Sequence, residues 1–243
     1  MKVSSIVLPM LWISYAVLWC GGVASYLFRG GPTAGSRWTA PVFLFLAALL
    51  TLRLTCSGWR RQLLAAGLIG MAAEVAGLRW GYPFGAYSYT GVLYPTVLGV
   101  PLAIGCAWLI LFAYVRQMLA WFHVDVLWRA VLGAMWMVAW DLLIDPLAAG
   151  PLGYWVWSEG GRYYGIPLGN FAGWFVVSLV LFLIFRQSPG KDRKAAYAGF
   201  SILLFFAMIA VRHLMIGPIV ASVVLLALHI ILLNLWGRTE ARF

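Results

Sequence analysis

Trp140-Asp141-Leu142-Leu143-Ile144-Asp145-Pro146 closes an apolar run over residues 128–148, and its reading decides the fold. A run of about 20 such residues is long enough to cross a hydrocarbon core of roughly 30 Å as one helix. A carboxylate inside it costs about 2.5–3.5 kcal/mol on insertion scales, so it must face protein or enclosed water rather than lipid. The two aspartates are four residues apart, which places them on one helix face. That face needs other helices around it.

The rest of the chain supplies them. Further apolar runs lie near 5–27, 38–56, 62–80, 97–120, 167–187, 195–212 and 217–236. Of the 243 residues, 64% are hydrophobic and 10% charged, and the mean hydropathy is +0.92. That balance excludes a soluble domain of this size. The expected fold is all-α: a polytopic transmembrane bundle of eight helices, or seven if the weak 195–212 run does not cross. Little sequence lies outside the runs, so a single integral membrane domain over 1–243 is expected. Residues 1–27 read as the first helix, because the apolar run is longer than a usual signal core.

The net charge of +10 would suggest nucleic acid in a soluble protein. Here the basic residues sit at helix ends, so no nucleic-acid partner is expected and their distribution sets orientation. With an inner N-terminus and eight crossings, twelve of the 17 fall inside: Lys2, Arg53, Arg60, Arg61, Arg116, Arg129, Arg186, Lys191, Arg193, Lys194, Arg238 and Arg242. Arg29, Arg37, Arg79, Arg162 and Arg212 fall outside. Both termini are therefore expected in the cytoplasm, and a bacterial cell membrane is the expected location.

Cys20, Cys56 and Cys106 are scattered and give neither a disulfide framework nor metal-ligand spacing. No His pairs with Glu at metal-ligand spacing, and no phosphate-cradling loop or nucleophile elbow occurs. Residues 188–194 read as a solvated basic turn. The loops at 81–96 and 150–166 differ from it. Both are rich in Tyr, Trp, Gly and Pro, and both fall on the outer side, where tight turns are expected.

Three carboxylates stand out. Gly67, Gly70, Gly77 and Gly81 share the helix face of Glu74, a surface that a backbone or a flat ligand can approach closely. Glu74 is expected inside the bundle, in a site or paired with an arginine such as Arg79. Asp141 lies about 10 Å and Asp145 about 5 Å below the outer end of the fifth helix, near the depth of Glu74. Three buried carboxylates at one depth cannot all be ionised cheaply, so one is expected to hold a proton beside another that does not. Asp145 could alternatively cap the loop after Pro146 or pair with an arginine. Asn170 reads equally as packing glue or as a group that orients a carboxylate or water. His229, alone in mid-membrane, reads first as a hydrogen-bonded core residue.

Gly81-Tyr82-Pro83-Phe84-Gly85-Ala86-Tyr87-Ser88-Tyr89-Thr90 resembles a signature of the membrane carotenoid biosynthesis family, whose best-known members are the CruF-type carotenoid 1,2-hydratases. The resemblance continues in order over residues 64–185. Glu74 precedes the signature, and Leu98-Gly99-Val100-Pro101 is expected to open the fourth helix. The two-aspartate motif follows. Gly153-Tyr154-Trp155-Val156-Trp157 and Tyr163-Tyr164-Gly165-Ile166-Pro167-Leu168-Gly169-Asn170-Phe171-Ala172-Gly173-Trp174 complete the pattern. Trp80, Ala86 and Gly105 depart from it, and none of the three is an acid.

The resemblance implies addition of water across the terminal C1–C2 double bond of an acyclic carotenoid end group, giving a tertiary alcohol without any cofactor or metal. Its partners are then the carotenoid, water and membrane lipid, with other enzymes of the carotenoid pathway left open. Protonating such an alkene creates a tertiary cation. A neutral carboxyl can deliver the proton, and a carboxylate can deprotonate the attacking water. On this reading Asp141 is the acid, and Glu74 or Asp145 is the base. Tyr87, Tyr89, Trp108, Trp140, Trp155, Trp157 and Trp174, with Asn170, are the candidates for holding substrate and cation. A proton-initiated carotenoid cyclase, a carotenoid carrier or scaffold, and a proton-coupled transporter are the alternatives.

Overall fold

The computed structural model describes residues 3–187 and 193–240. Positions 188–192 of the expected basic turn lie outside the described residues, as do Lys2, Lys191 and Arg242 of the orientation count. Eight α-helices are present among the described residues: α1 Val3–Arg29, α2 Thr39–Leu54, α3 Ser57–Trp80, α4 Leu102–Leu119, α5 Val126–Ala149, α6 Leu168–Ile184, α7 Tyr197–Arg212 and α8 Ile216–Glu240. Six spans are long and apolar enough to cross a membrane: those of α1, α3, α4, α5 and α8, and Ala34–Leu54, in which α2 is extended by the turn before it. The other two, α6 and α7, are shorter at 17 and 16 residues. The protein is an all-α integral membrane bundle.

Helix α4 is the axis. Every side chain from Trp108 to Leu119 is buried, and α2, α3, α5 and α7 pack around it. Further out, α6 and α8 lie on α5, and α1 lies on α2 and α7. The glycine face of α3 is what lets α4 come so near. A Cβ on Gly67 would stand 2.8 Å from the Gly105 carbonyl oxygen of α4, and one on Gly70 would stand 2.2 Å from the Trp108 ring. Gly105, a departure from the family pattern, is thus part of a close helix–helix contact.

The helix ends follow local chemistry. Asp125 caps α5 by accepting the Trp128 N–H at 3.0 Å. Gly81, at φ +71°, ends α3 in the left-handed conformation that glycine adopts without a Cβ penalty. The fourth helix begins five residues later than its hydropathy suggests. Strands β2 Thr96–Val97 and β3 Val100–Pro101 pair as a tight hairpin that turns at Leu98 and Gly99, both at positive φ. The Leu98-Gly99-Val100-Pro101 motif is therefore this turn and not the first turn of α4, and Pro101 stands at the N-cap.

Helix α5 runs through Pro146 to Ala149. Proline has no N–H for the carbonyl four residues before it. That carbonyl, on Leu142, accepts the Tyr163 hydroxyl at 2.8 Å instead. The two aromatic loops also join. Strand β1 Tyr87–Tyr89, from the loop after α3, pairs antiparallel with β4 Trp155–Trp157, from the loop after α5, in the register Tyr87↔Trp157 and Tyr89↔Trp155. Side chains two apart on a strand share a face. This short ribbon thus presents four aromatic side chains across one end of the bundle.

Candidate active site

The ribbon closes one end of a cavity that encloses about 820 Å³ of empty space, its mouth included. Glu74, Asp141, Asp145 and Asn170 gather at that end, all buried. The deeper wall is apolar, with Ile110 and Leu111 of α4 and Ile202 and Phe206 of α7. Leu111 lies nine residues along α4 from Leu102, so the cavity penetrates roughly 14 Å below that end. The slot is polar at its ribbon end and hydrocarbon-like below.

Each carboxylate is held by a different set of donors. Glu74 accepts from three rings: the Tyr87 and Tyr89 hydroxyls on Oε2, the latter at 3.1 Å, and Trp108 Nε1 on Oε1 at 3.1 Å. The Arg79 side chain is exposed and is not among these partners. Asp145 accepts on Oδ1 from Trp155 Nε1 at 2.6 Å and Trp157 Nε1 at 3.4 Å, and on Oδ2 from Asn170 Nδ2 at 2.8 Å. Among the described residues it neither caps the end of α5 nor joins an arginine. Among the described residues Asp141 takes one side-chain hydrogen bond, from the same Asn170 nitrogen to Oδ2 at 2.6 Å. One amide nitrogen therefore bridges two carboxyl groups.

Local sequence explains why these groups meet. Asn170 stands in the first turn of α6, just after Pro167 sets the helix start, and α6 lies along α5. Trp174 follows four residues later on the same face. It stacks on Trp108 with ring centroids 4.2 Å apart and planes 13° apart, while Phe84 leans on both rings. The result is an aromatic wall beside Glu74. Burial, and then the neighbouring Glu74, push the Tyr87 and Tyr89 hydroxyls well above the ordinary tyrosine range, so both stay protonated as donors.

The structure brings ten of the eleven candidate residues to this cavity and leaves out Trp140. Its ring is fully buried on another side of α5 and packs edge-on against Tyr114 at 5.4 Å. Adjacent helix positions are about 100° apart, so Trp140 cannot share the Asp141 face. Phe84, Leu93 and Tyr154, which the sequence did not single out, join the ten in the lining. The alternating Tyr-x-Tyr and Trp-x-Trp patterns were the signal for the ribbon, since period-two aromatics between Gly and Pro mark strands. Among the described residues no group of three or more His, Cys, Asp or Glu is placed to hold a metal ion.

A profile of the carotenoid biosynthesis protein family matches residues 38–233. The chain belongs to that family. The matched region takes in every side chain of the carboxylate cluster and both strands of the ribbon. Over 130 residues the chain is 32% identical to bisanhydrobacterioruberin hydratase of Haloarcula japonica. That alignment covers 51% of this chain and 43% of the relative, so the chain spans less than half the length of the relative it matches. No solved structure matches.

Proposed function

We propose that this carotenoid biosynthesis protein hydrates the terminal C1–C2 double bond of an acyclic carotenoid end group. The observation that carries the reading is the Asn170 bridge between Asp141 and Asp145 at the polar end of an otherwise apolar slot. Two carboxyl groups that share one amide nitrogen out of bulk water retain a proton between them. An alkene end group lying in the slot meets that proton at the outer end, with its hydrocarbon body in the apolar part.

Asp141 is the proton donor on this reading, and Glu74 or Asp145 takes the proton of the attacking water. The proton goes to C2 and leaves a tertiary cation at C1. Water then attacks C1 and loses a proton, and a tertiary alcohol results. The Trp108–Trp174 stack offers π faces to the cation, an interaction worth about 0.5–2 kcal/mol per ring. The carotenoid, water and surrounding lipid are the partners, and no cofactor is called for. That this relative is a hydratase supports the reaction class. The orientation proposed from basic-residue placement puts the ribbon on the outer face and both termini in the cytoplasm.

Purified protein in detergent, incubated with lycopene, tests the reading. A 1-hydroxy product is expected. A ring-containing product would make it a cyclase, and tight pigment binding without product would make it a carrier.

A further inference from the structure

The donor sets around Glu74 and Asp145 differ in one chemical respect. Among the described residues every side-chain donor to Asp145 is an N–H, from Trp155, Trp157 and Asn170. Indole and amide N–H groups donate, but neither can take up a proton and pass another on. Glu74 instead receives two hydroxyls. A tyrosine hydroxyl is donor and acceptor together, so it can receive a proton on oxygen while releasing its own. Of the two, Tyr87 is the more buried, and it also reaches the Glu74 backbone carbonyl at 3.4 Å. Both line the cavity, and Tyr89 is the less buried of the two.

We infer that Tyr89 is a catalytic proton relay: it takes the proton of the attacking water and passes its own hydroxyl proton to Glu74, while Asp145 is a fixed anion that exchanges no proton during turnover. The inference rests on the hydratase reading and deepens it. The steps balance. The Asp141 O–H bond breaks and a C2–H bond forms, leaving Asp141 as carboxylate and a cation at C1. The water oxygen bonds C1. One water proton moves to Tyr89 Oη as the Tyr89 proton moves to Glu74 Oε2, so Tyr89 ends neutral. A proton returned from Glu74 to Asp141 through cavity water restores the starting state. The sum is alkene plus water giving alcohol.

The contrast predicts a split between protonation and water capture. Without the relay the cation still forms, but it reverts by giving a proton back to the Asp141 carboxylate. In deuterated water that reversal leaves deuterium in recovered substrate. Alcohol formed and deuterium in recovered lycopene are measured by mass spectrometry for the wild type, Tyr89→Phe, Glu74→Gln, Asp145→Asn and Asp141→Asn, each first shown to bind lycopene by its absorption spectrum. Tyr89→Phe and Glu74→Gln are expected to lose at least about tenfold in alcohol while deuterium exchange persists. Asp141→Asn and Asp145→Asn are expected to lose both in parallel, one lacking the proton and the other the fixed charge. Wild-type alcohol formation by Tyr89→Phe overturns the relay, as does loss of exchange together with alcohol. If Tyr89→Phe does not bind lycopene, Glu74→Gln decides: exchange without alcohol supports the relay, and loss of both overturns it. A wild type that yields no alcohol overturns the hydratase reading and the relay with it. Alcohol from the wild type with an unsplit variant overturns the relay alone.

Discussion

Two clusters of buried polar groups lie on different sides of Trp140. One is the carboxylate cluster under the ribbon. The other is Tyr114 on α4 and His229 on α8, whose hydroxyl and Nδ1 stand 2.9 Å apart. The second pair is packed shut. The His229 ring lies against Phe200 at 4.1 Å and against Tyr114 at 5.6 Å, with nearly parallel planes. A Cβ on Gly199 would stand 2.5 Å from the Tyr114 side chain. Neither residue lines the cavity. In the first cluster the three acids line an open cavity, and Asp141 takes one side-chain hydrogen bond among the described residues. Burial of polar groups therefore does not mark a site by itself. A cavity, and a carboxyl that is not fully engaged, distinguish the two.

Substitutions on each side of Trp140 sharpen or break that contrast. The largest effect is expected from Asp141→Asn, which keeps the shape of the side chain and removes the acid. Alcohol formation should fall about 100- to 10,000-fold, and wild-type turnover would show that the cluster under the ribbon is only structural. Next is Trp155→Phe, which deletes the 2.6 Å donor to Asp145. A hydrogen bond to a charged group is worth about 1.5–3 kcal/mol, so turnover should fall roughly 10- to 100-fold, measured with lycopene as substrate. Gly70→Ala drives a methyl group into the Trp108 ring. About 1–3 kcal/mol of stability should be lost, and the tryptophan emission should shift as Trp108 leaves Glu74. His229→Leu tests the other side. It strands the Tyr114 hydroxyl and should lower stability by about 1–3 kcal/mol, read as a lower Tm, with turnover changed less than about threefold. A hundredfold loss of turnover there would erase the distinction. The smallest effect is expected from Ser158→Cys. Ser158 is exposed beside β4, so the cysteine should react with an impermeant thiol reagent from outside intact cells at unchanged turnover. Labelling only from the cytoplasm would reverse the orientation.

Hydropathy and residue spacing made much of this architecture legible. A long apolar run announces a helix whatever its neighbours are, so all eight were visible with ends displaced by a few residues. The i, i+4 relation of Asp141 and Asp145, and the glycine face around Glu74, are properties of one helix each, and they read correctly from one helix each. What spacing could not show was pairing across the chain. Nothing in residues 87–89 alone indicates that Trp155–Trp157 will lie beside them, because strand pairing is a non-local event. The same limit hid the Asn170 bridge, which needs α6 laid along α5. The aromatic residues were expected to offer ring faces to a cation. Tyr87, Tyr89, Trp108, Trp155 and Trp157 also turn hydroxyl or indole N–H edges toward carboxylates, a role that only placement reveals. Trp140 lies outside the cavity for the opposite reason: the motif that contains it is continuous in sequence but not on one helix face.

The bond from Tyr163 to the Leu142 carbonyl has a consequence for how the chain is made. Proline leaves α5 one rung short in the turn that carries Asp145, and the missing rung is supplied from a residue synthesised later. Asn170, Trp155 and Trp157 are also downstream of α5. Because synthesis delivers the N-terminal elements first, both aspartates leave the ribosome before any of these four partners does. A ribosome stalled after α5 would hold an acidic helix with nothing to answer it, and release of about twenty more residues would complete the set.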